Sequence, residues 1–404
     1  MTLTPISLGS SSNPSRFGAG GVARLVNCYQ ERQGEDAKAD PIIVASDGLT
    51  VLATAAALGT RALLEVGVYV YGVIGREIVK IGAGGTLAVL GGIPTNGPVY
   101  MVRNRRTVPQ VAIVSDGLYY VIDTGTDVIT QISSAVLPPA TSLAFFDGYG
   151  LLSTTRNGQW FATAIDNFST IDPLSFGDAE SNPDDIVRIA TREGEVVVFG
   201  TRSTEWFQDT GAVNFAFTRS QAAEIGCLSA GSVAFVDRTL FWVAHDGSVR
   251  QMQGYGGARV STHAVERAIA GVDPSTILAT TWWQGGHTFY AISCASWTWV
   301  YDLATSKWHE RESYGQSRWR VSCVARFGNA WLAGDSSTGD LYIMSPDVHA
   351  ESFDPLILTV QTPPVHAFPK RLQFSALYLD IVPGVGLAPA TTSGGSSTYF
   401  WLGF

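Results

Sequence analysis

The stretch LFWVAHDGSVRQM, Leu240 to Met252, decides the fold. Apolar residues crowd its first half, and the pair Asp246-Gly247 follows. Asp-Gly between two strand-forming runs is the strongest short-range signal for a tight two-residue hairpin turn. The same unit recurs along the chain. YVYGVIGREIVKI turns near Gly75, VAIVSDGLYYVID at Asp116, LLSTTRNGQWFATAI at Asn157 and VVVFGTRSTEWFQD near Arg202. Beyond the Asp246 unit come FYAISCASWTWVYDL, turning near Ala295, and AWLAGDSSTGDLYIM, turning near Thr338. Successive turns lie 41, 41, 45, 44, 49 and 43 residues apart. A period of roughly 40–50 residues built from strands is the signature of propeller blades.

A blade is a four-stranded antiparallel sheet, and blades pack around a central channel. One such sheet cannot hide both faces, whereas a ring of them can. That is why both strands of each hairpin are rich in apolar residues. Flanking segments supply the remaining strands, such as RALLEV before the first hairpin and DIVRIATR before the fourth. The expectation is an all-β chain: a β-propeller of seven four-stranded blades, or six if one hairpin belongs elsewhere. A pair of β-sandwiches and a β-solenoid are the competing architectures. Composition agrees. In 404 residues 46% are apolar, 15% charged and 11% aromatic, with 43 glycines and 4 methionines, which suits a turn-rich β fold with a large core.

Outside the hairpins the pattern changes. Residues 1–21 read as an N-terminal arm and 22–351 as the propeller. VARLVNCYQER, Val22 to Arg32, is the candidate strand that closes the ring beside the last blade, removing an exposed edge. STHAVERAIAG, Ser261 to Gly271, has a Ser/Thr start, spaced apolar residues and a terminal glycine, and predicts a short helix. The acidic stretch Asp166 to Asp185 carries Pro173 and Pro183 and reads as an exposed loop poised to meet a partner. Residues 352–404 read as a short, partial C-terminal β segment ending in a flexible Gly/Ser/Thr tail.

The formal charge of -9 and pI near 5.2 argue against a protein that grips phosphates over a basic face. Cys28, Cys227, Cys294 and Cys323 lie far apart without a C-x-x-C pair, so they read as free thiols rather than zinc ligands. The N-terminus has no basic region followed by an apolar stretch, and no run reaches the ~18 apolar residues of a membrane helix. The expected product is soluble, unexported and not inserted in a membrane.

Chemistry is thin. GAGGTLAVLGG, Gly82 to Gly92, is glycine-rich but lacks the following helix that would receive a pyrophosphate, so it reads as a blade turn. His245, His263, His287, His309, His349 and His366 form no H-E-x-x-H, and read as core or turn residues. Asp47, Asp116 and Asp246 each precede glycine, as in the structural Asp-boxes of sialidases, and read as turn formers. A glycosidase also needs two carboxylates on one cleft, and none can be paired from sequence. Trp282, Trp283, Trp297, Trp299, Trp308 and Trp319 read as wedges between blades rather than a carbohydrate platform. RNRR, Arg103 to Arg106, is the dense basic cluster, read as a solvated turn, a subunit contact or a phosphate contact. No residue is assigned a catalytic, cofactor or metal role, and no enzyme activity is expected.

Several segments together resemble one family. They are RLVNCYQERQ (Arg24 to Gln33), RNRRTVPQVAIVSDGLYYVID (Arg103 to Asp123), the long stretch Asp147 to Gly211, LFWVAHDGSVRQM and VYDLATSKWHE. Most specific is the ordered set W-F-x-x-x-x-D from Trp160, P-L-S-F-x-x-A-E from Pro173 and S-T-E-W-F-x-x-T-G from Ser203. The likeness spans roughly Val22 to Pro346, and is to the tail hub or nozzle proteins of short-tailed bacteriophages, the packaged-DNA stabilisation proteins. It implies a virion component, assembled in the host cytoplasm as a six-fold ring of copies below the portal and adaptor. Such a ring extends the DNA channel, touches double-stranded DNA transiently, retains the genome until ejection and meets distal tail proteins. Relatives carry a fuller C-terminal β domain. The alternative function is a carbohydrate-binding or glycoside-cleaving propeller that recognises a host receptor.

Overall fold

The computed structural model describes residues 9–17, 21–34, 40–133, 137–155, 158–179 and 181–362. The opening stretch shows how the blades arise. Strand Thr239–Val243 pairs with Val249–Gln253, and Phe241 opposes Gln251. Alternation sends Leu240 and Trp242 to one side of the sheet and Phe241 and Val243 to the other. Leu240 and Trp242 pack with Phe199 and Trp206 of the preceding blade. Phe241 and Val243 pack with Tyr290 and Ile292 of the following one. Each such side chain contributes about 1.5–3 kcal/mol on burial.

The turn of this hairpin is one residue longer than expected. Ala244 bonds Ser248, enclosing His245, Asp246 and Gly247; the Gly247 N–H donates to the Ala244 carbonyl, and Gly247 has φ +77°. This is a type I turn closed by a left-handed glycine. At Asp116-Gly117 the two-residue turn is found, with φ +45° and +84°.

Seven four-stranded antiparallel units follow in chain order, each centred on one of the hairpins above. Their innermost strands are Thr60–Val66, Val99–Arg103, Ala140–Phe146, Ile186–Arg192, Ala234–Val236, Leu278–Gln284 and Val321–Phe327. The core is divided accordingly. Seven hydrophobic clusters are found among the described residues, one at every interface between neighbouring blades. The cluster joining blade 7 to blade 1 holds Leu332, Leu341, Val70 and Ile74, so the ring is closed. The third turn, at Asn157, lies outside the described residues.

Two expectations need correction. The strand that closes the ring is Gly48–Thr54, not Val22 to Arg32. It is the outer strand of blade 7, antiparallel to Asp340–Ser345. Val22 to Arg32 cannot be one strand because Asn27, at φ +58°, breaks it. Arg24–Val26 lies parallel to the outer strand of blade 6, and Cys28–Glu31 pairs with Ile42–Ala45. The second correction concerns Asp166 to Asp185, which is not a loop for most of its length. Asn167–Asp178 is the long outer strand of blade 3, with register shifts against Gln159–Ala164 that accommodate Pro173 on an edge. The helix forms as expected over His263–Ala270, where Thr262 accepts from the Val265 N–H.

Of the C-terminal segment 352–404, Asp354–Pro355 pairs with Ala350–Glu351 beside blade 7, and Thr359–Gln361 pairs with Arg24–Val26 beside blade 6. The flexible tail expected beyond these strands lies outside the described residues, as does His366.

Candidate functional site

The innermost strands of the blades face one another across the middle of the ring. Arg188 reaches from blade 4 to blade 2, where its guanidinium carbon lies 3.7 Å from the centre of the Tyr100 ring. Beside this contact is a cavity of about 330 Å³, bounded by blades 1 to 5. Leu64, Met101, Leu143, Phe145 and Phe235 give it apolar walls; Arg103, Arg188 and Thr191 are the polar side chains in its lining. Arg103 is exposed and Phe235 is 50% exposed, so the mouth is on the face carrying the turns between first and second strands.

Arg103, which ends the first strand of blade 2, lines this mouth; Arg105, 5.8 Å from the centre of the Phe145 ring, and Arg106 follow on the connection to the second strand. All three are exposed and have no carboxylate partner among the described residues. Asn104 between them is buried, and its side chain accepts from the Gln110 N–H at 2.7 Å. The basic turn is thus pinned at its centre with its cations turned outward.

A second polar assembly lies at the seam of blades 6 and 7. Arg311 is fully buried. It donates to the Asp47 carbonyl at 2.8 Å, lies 3.7 Å from Glu351 and stacks over Trp319 at 4.0 Å. Trp319 donates its indole N–H to Glu351 at 2.9 Å. Burial pushes the Asp47 carboxyl up to about 6, although the Arg311 charge and a hydrogen bond from Gln284 pull the other way. The His287 Nδ1 lies 2.8 Å from Asp302, and its Nε2 faces Glu31 at 3.8 Å. A general base would present that nitrogen to a hydroxyl or thiol; here it meets a carboxylate, and the pair ties the Cys28–Glu31 strand to blade 6.

Residues 26–349 match the model of the bacteriophage P22 Gp10 β-propeller, a phage stabilisation family. The chain belongs to this family. As in the family's description, the matched region is a propeller. No curated protein matches the chain. Among solved structures, the extracellular domain of a one-component system from B. thetaiotaomicron is similar at 12% identity and TM-score 0.51. That match covers 73% of this chain and 39% of the other, and shows the fold alone. The computationally designed Ika8 protein aligns at 13% identity and TM-score 0.45, over 84% of this chain and 99% of its own.

Within this Gp10-type propeller the remaining sequence candidates disperse. Trp282 and Trp319 wedge between blades 6 and 7, and Trp299 and Trp308 between blades 5 and 6. Trp297 packs partly buried against the latter core. Trp283 departs from that pattern: it is 56% exposed and meets Trp331 edge-on at 4.3 Å. The three Asp-Gly pairs do not all shape turns. Asp116 and Asp246 shape turns, whereas Asp47 enters the seam and Gly48 begins the closing strand. Cys28, Cys227 and Cys294 are buried and Cys323 half-buried, all as free thiols. Burial pushes the thiols of Cys28, Cys227 and Cys323 up to about 12. Among the described residues no group of His, Cys, Asp and Glu is arranged to hold a metal. Arg188, Arg311 with Glu351, and His287 with Asp302 escaped sequence reasoning, because each pairing joins different strands or blades.

Proposed function

We propose that the chain is a structural component of a short phage tail, a hub or nozzle below the portal and adaptor. Copies of it form a six-fold ring that extends the DNA channel, helps retain the packaged genome and permits its ejection. Membership of the Gp10 family carries the reading. The axis refines it. Arg188 reaches from blade 4 to Tyr100 on blade 2, and the free space beside them, lined by strands of blades 1 to 5, is about 330 Å³. A duplex whose major groove alone is about 12 Å wide cannot thread such a space. The DNA path therefore runs between copies, around an axis outside any one propeller.

A conduit works best when its wall binds DNA weakly, because each neutralised phosphate adds affinity and slows passage. With 26 basic against 35 acidic residues, the chain suits such a wall. Imaging of purified tails or virions tests the proposal. The expected result is six copies around one shared channel, with every propeller axis off that channel. DNA running through a single propeller, or tails lacking this chain, would overturn it. In mobility-shift assays the isolated chain should bind duplex no more tightly than about 10⁻⁶ M at physiological salt. Tight binding that weakens steeply with salt would sink the sliding-wall idea.

A further inference from the structure

The axial cavity has a chemistry that a tail conduit does not require. Its lining contains two arginines, Arg103 and Arg188, and no carboxylate, in a chain of net charge -9. The Nε and Nη1 of Arg188 are shielded from solvent and have no hydrogen-bond acceptor among the described residues. Arginine stays charged in proteins, so shielding this guanidinium carries a cost that the Tyr100 ring only partly offsets. Burial accordingly pulls the Arg188 pKa below its ordinary value. Leu143, Met101, Phe145 and Phe235 line the same space. A volume of about 330 Å³, open to solvent and walled by apolar side chains together with arginines, has room for a small molecule. Arg103 in the lining and the exposed Arg105 and Arg106 that follow it would raise the local concentration of anions.

We propose that this cavity binds a small amphipathic oxyanion, a carboxylate or phosphate monoester. Its charged group meets Arg188 and its apolar body lies against Met101, Leu143, Phe145 and Phe235. The site is independent of the tail function proposed above, since a duplex cannot enter it. An oxyanion gives the Arg188 guanidinium a charged acceptor that no described residue supplies. Inorganic phosphate satisfies the charge but not the walls, and a neutral alcohol satisfies the walls but not the charge.

Titration calorimetry on the full chain with octanoate, octyl phosphate, inorganic phosphate and octanol tests this. Octanoate or octyl phosphate should bind with a Kd below about 1 mM, and both inorganic phosphate and octanol at least about tenfold more weakly. Which of the two octyl compounds binds more tightly identifies the headgroup. The variant Arg188→Gln should lose at least about tenfold in affinity with its near-UV circular dichroism unchanged. Should that variant fail to fold, Phe235→Trp tests the walls with Arg188 intact, by narrowing the cavity and weakening octanoate. The proposal is overturned if neither octyl anion binds at millimolar concentration, if octanol binds as tightly as octanoate, or if Arg188→Gln binds unchanged.

Discussion

His309 is buried among aromatic rings, 5.9 Å from Tyr29 and 5.6 Å from Phe289 between ring centres. Burial first, then the charges of Arg311 and His287, lowers its pKa to about 3. An unfolded histidine titrates near 6.5. Its stabilising contribution is therefore complete above pH 6.5 and shrinks as pH falls towards 3, because the unfolded chain takes up a proton that the native site refuses. By pH 4 the loss is about 3 kcal/mol. Asp47 works in the opposite sense. With a native pKa raised to about 6, it gains its proton before the unfolded chain does. Acidification from pH 7 to 4 then adds about 2 kcal/mol. His309→Gln should thus flatten the acid decline of stability, and Asp47→Asn should steepen it, in urea midpoints measured from pH 4 to 7. A His309→Gln protein that declines as steeply as the parent would show that another group sets the acid limit. From sequence, His309 is readable as a core histidine. Asp47 is not readable, because SDG at Asp47 and SDG at Asp116 are the same three letters with opposite fates.

Among the elements, the closing strand Gly48–Thr54 is the most exacting. Leu49 is fully buried in the core between blades 6 and 7, and Leu49→Ala should cost about 2–5 kcal/mol. A Cβ at Gly48 would lie 2.2 Å from the Val348 carbonyl oxygen, a backbone atom that cannot swing aside. Gly48→Ala should cost about 1–3 kcal/mol. Val51 on the same strand is 38% exposed, and Val51→Ala should change stability by less than about 1 kcal/mol. Chemical denaturation of the three variants orders them, and equal losses would mean that the strand is held by backbone pairing alone. The middle hairpins were legible because both strands are apolar and each turn announces itself. The outer strands were not: Gly48–Thr54 is half exposed, and Asn167–Asp178 carries a proline, acids and two register shifts. Edge strands relax the alternation and composition rules by which a strand is recognised.

For the whole molecule, closure joins residues far apart in the chain. Ser345 pairs with Gly48 in blade 7, and Glu351 reaches Arg311 and Trp319 across the seam. Deleting residues 1–54 removes the outer strand of blade 7 and the strand on the edge of blade 6. The expected outcome is loss of a single cooperative thermal transition, read by calorimetry. An unchanged transition would show that the seven inter-blade cores suffice without the seam. The order and spacing of the hairpins were determined by the sequence itself, since turn chemistry and strand alternation operate within some fifteen consecutive residues; the sequence left seven or six blades open, and the structure has seven. The same local reading revealed the family, whose marks lie in hairpins and adjoining strands. Only the tertiary structure decided which segment closes the ring, that Arg188 of blade 4 meets Tyr100 of blade 2, and which buried charges meet. These depend on packing between blades, which brings together residues whose spacing along the chain carries no trace of the contact.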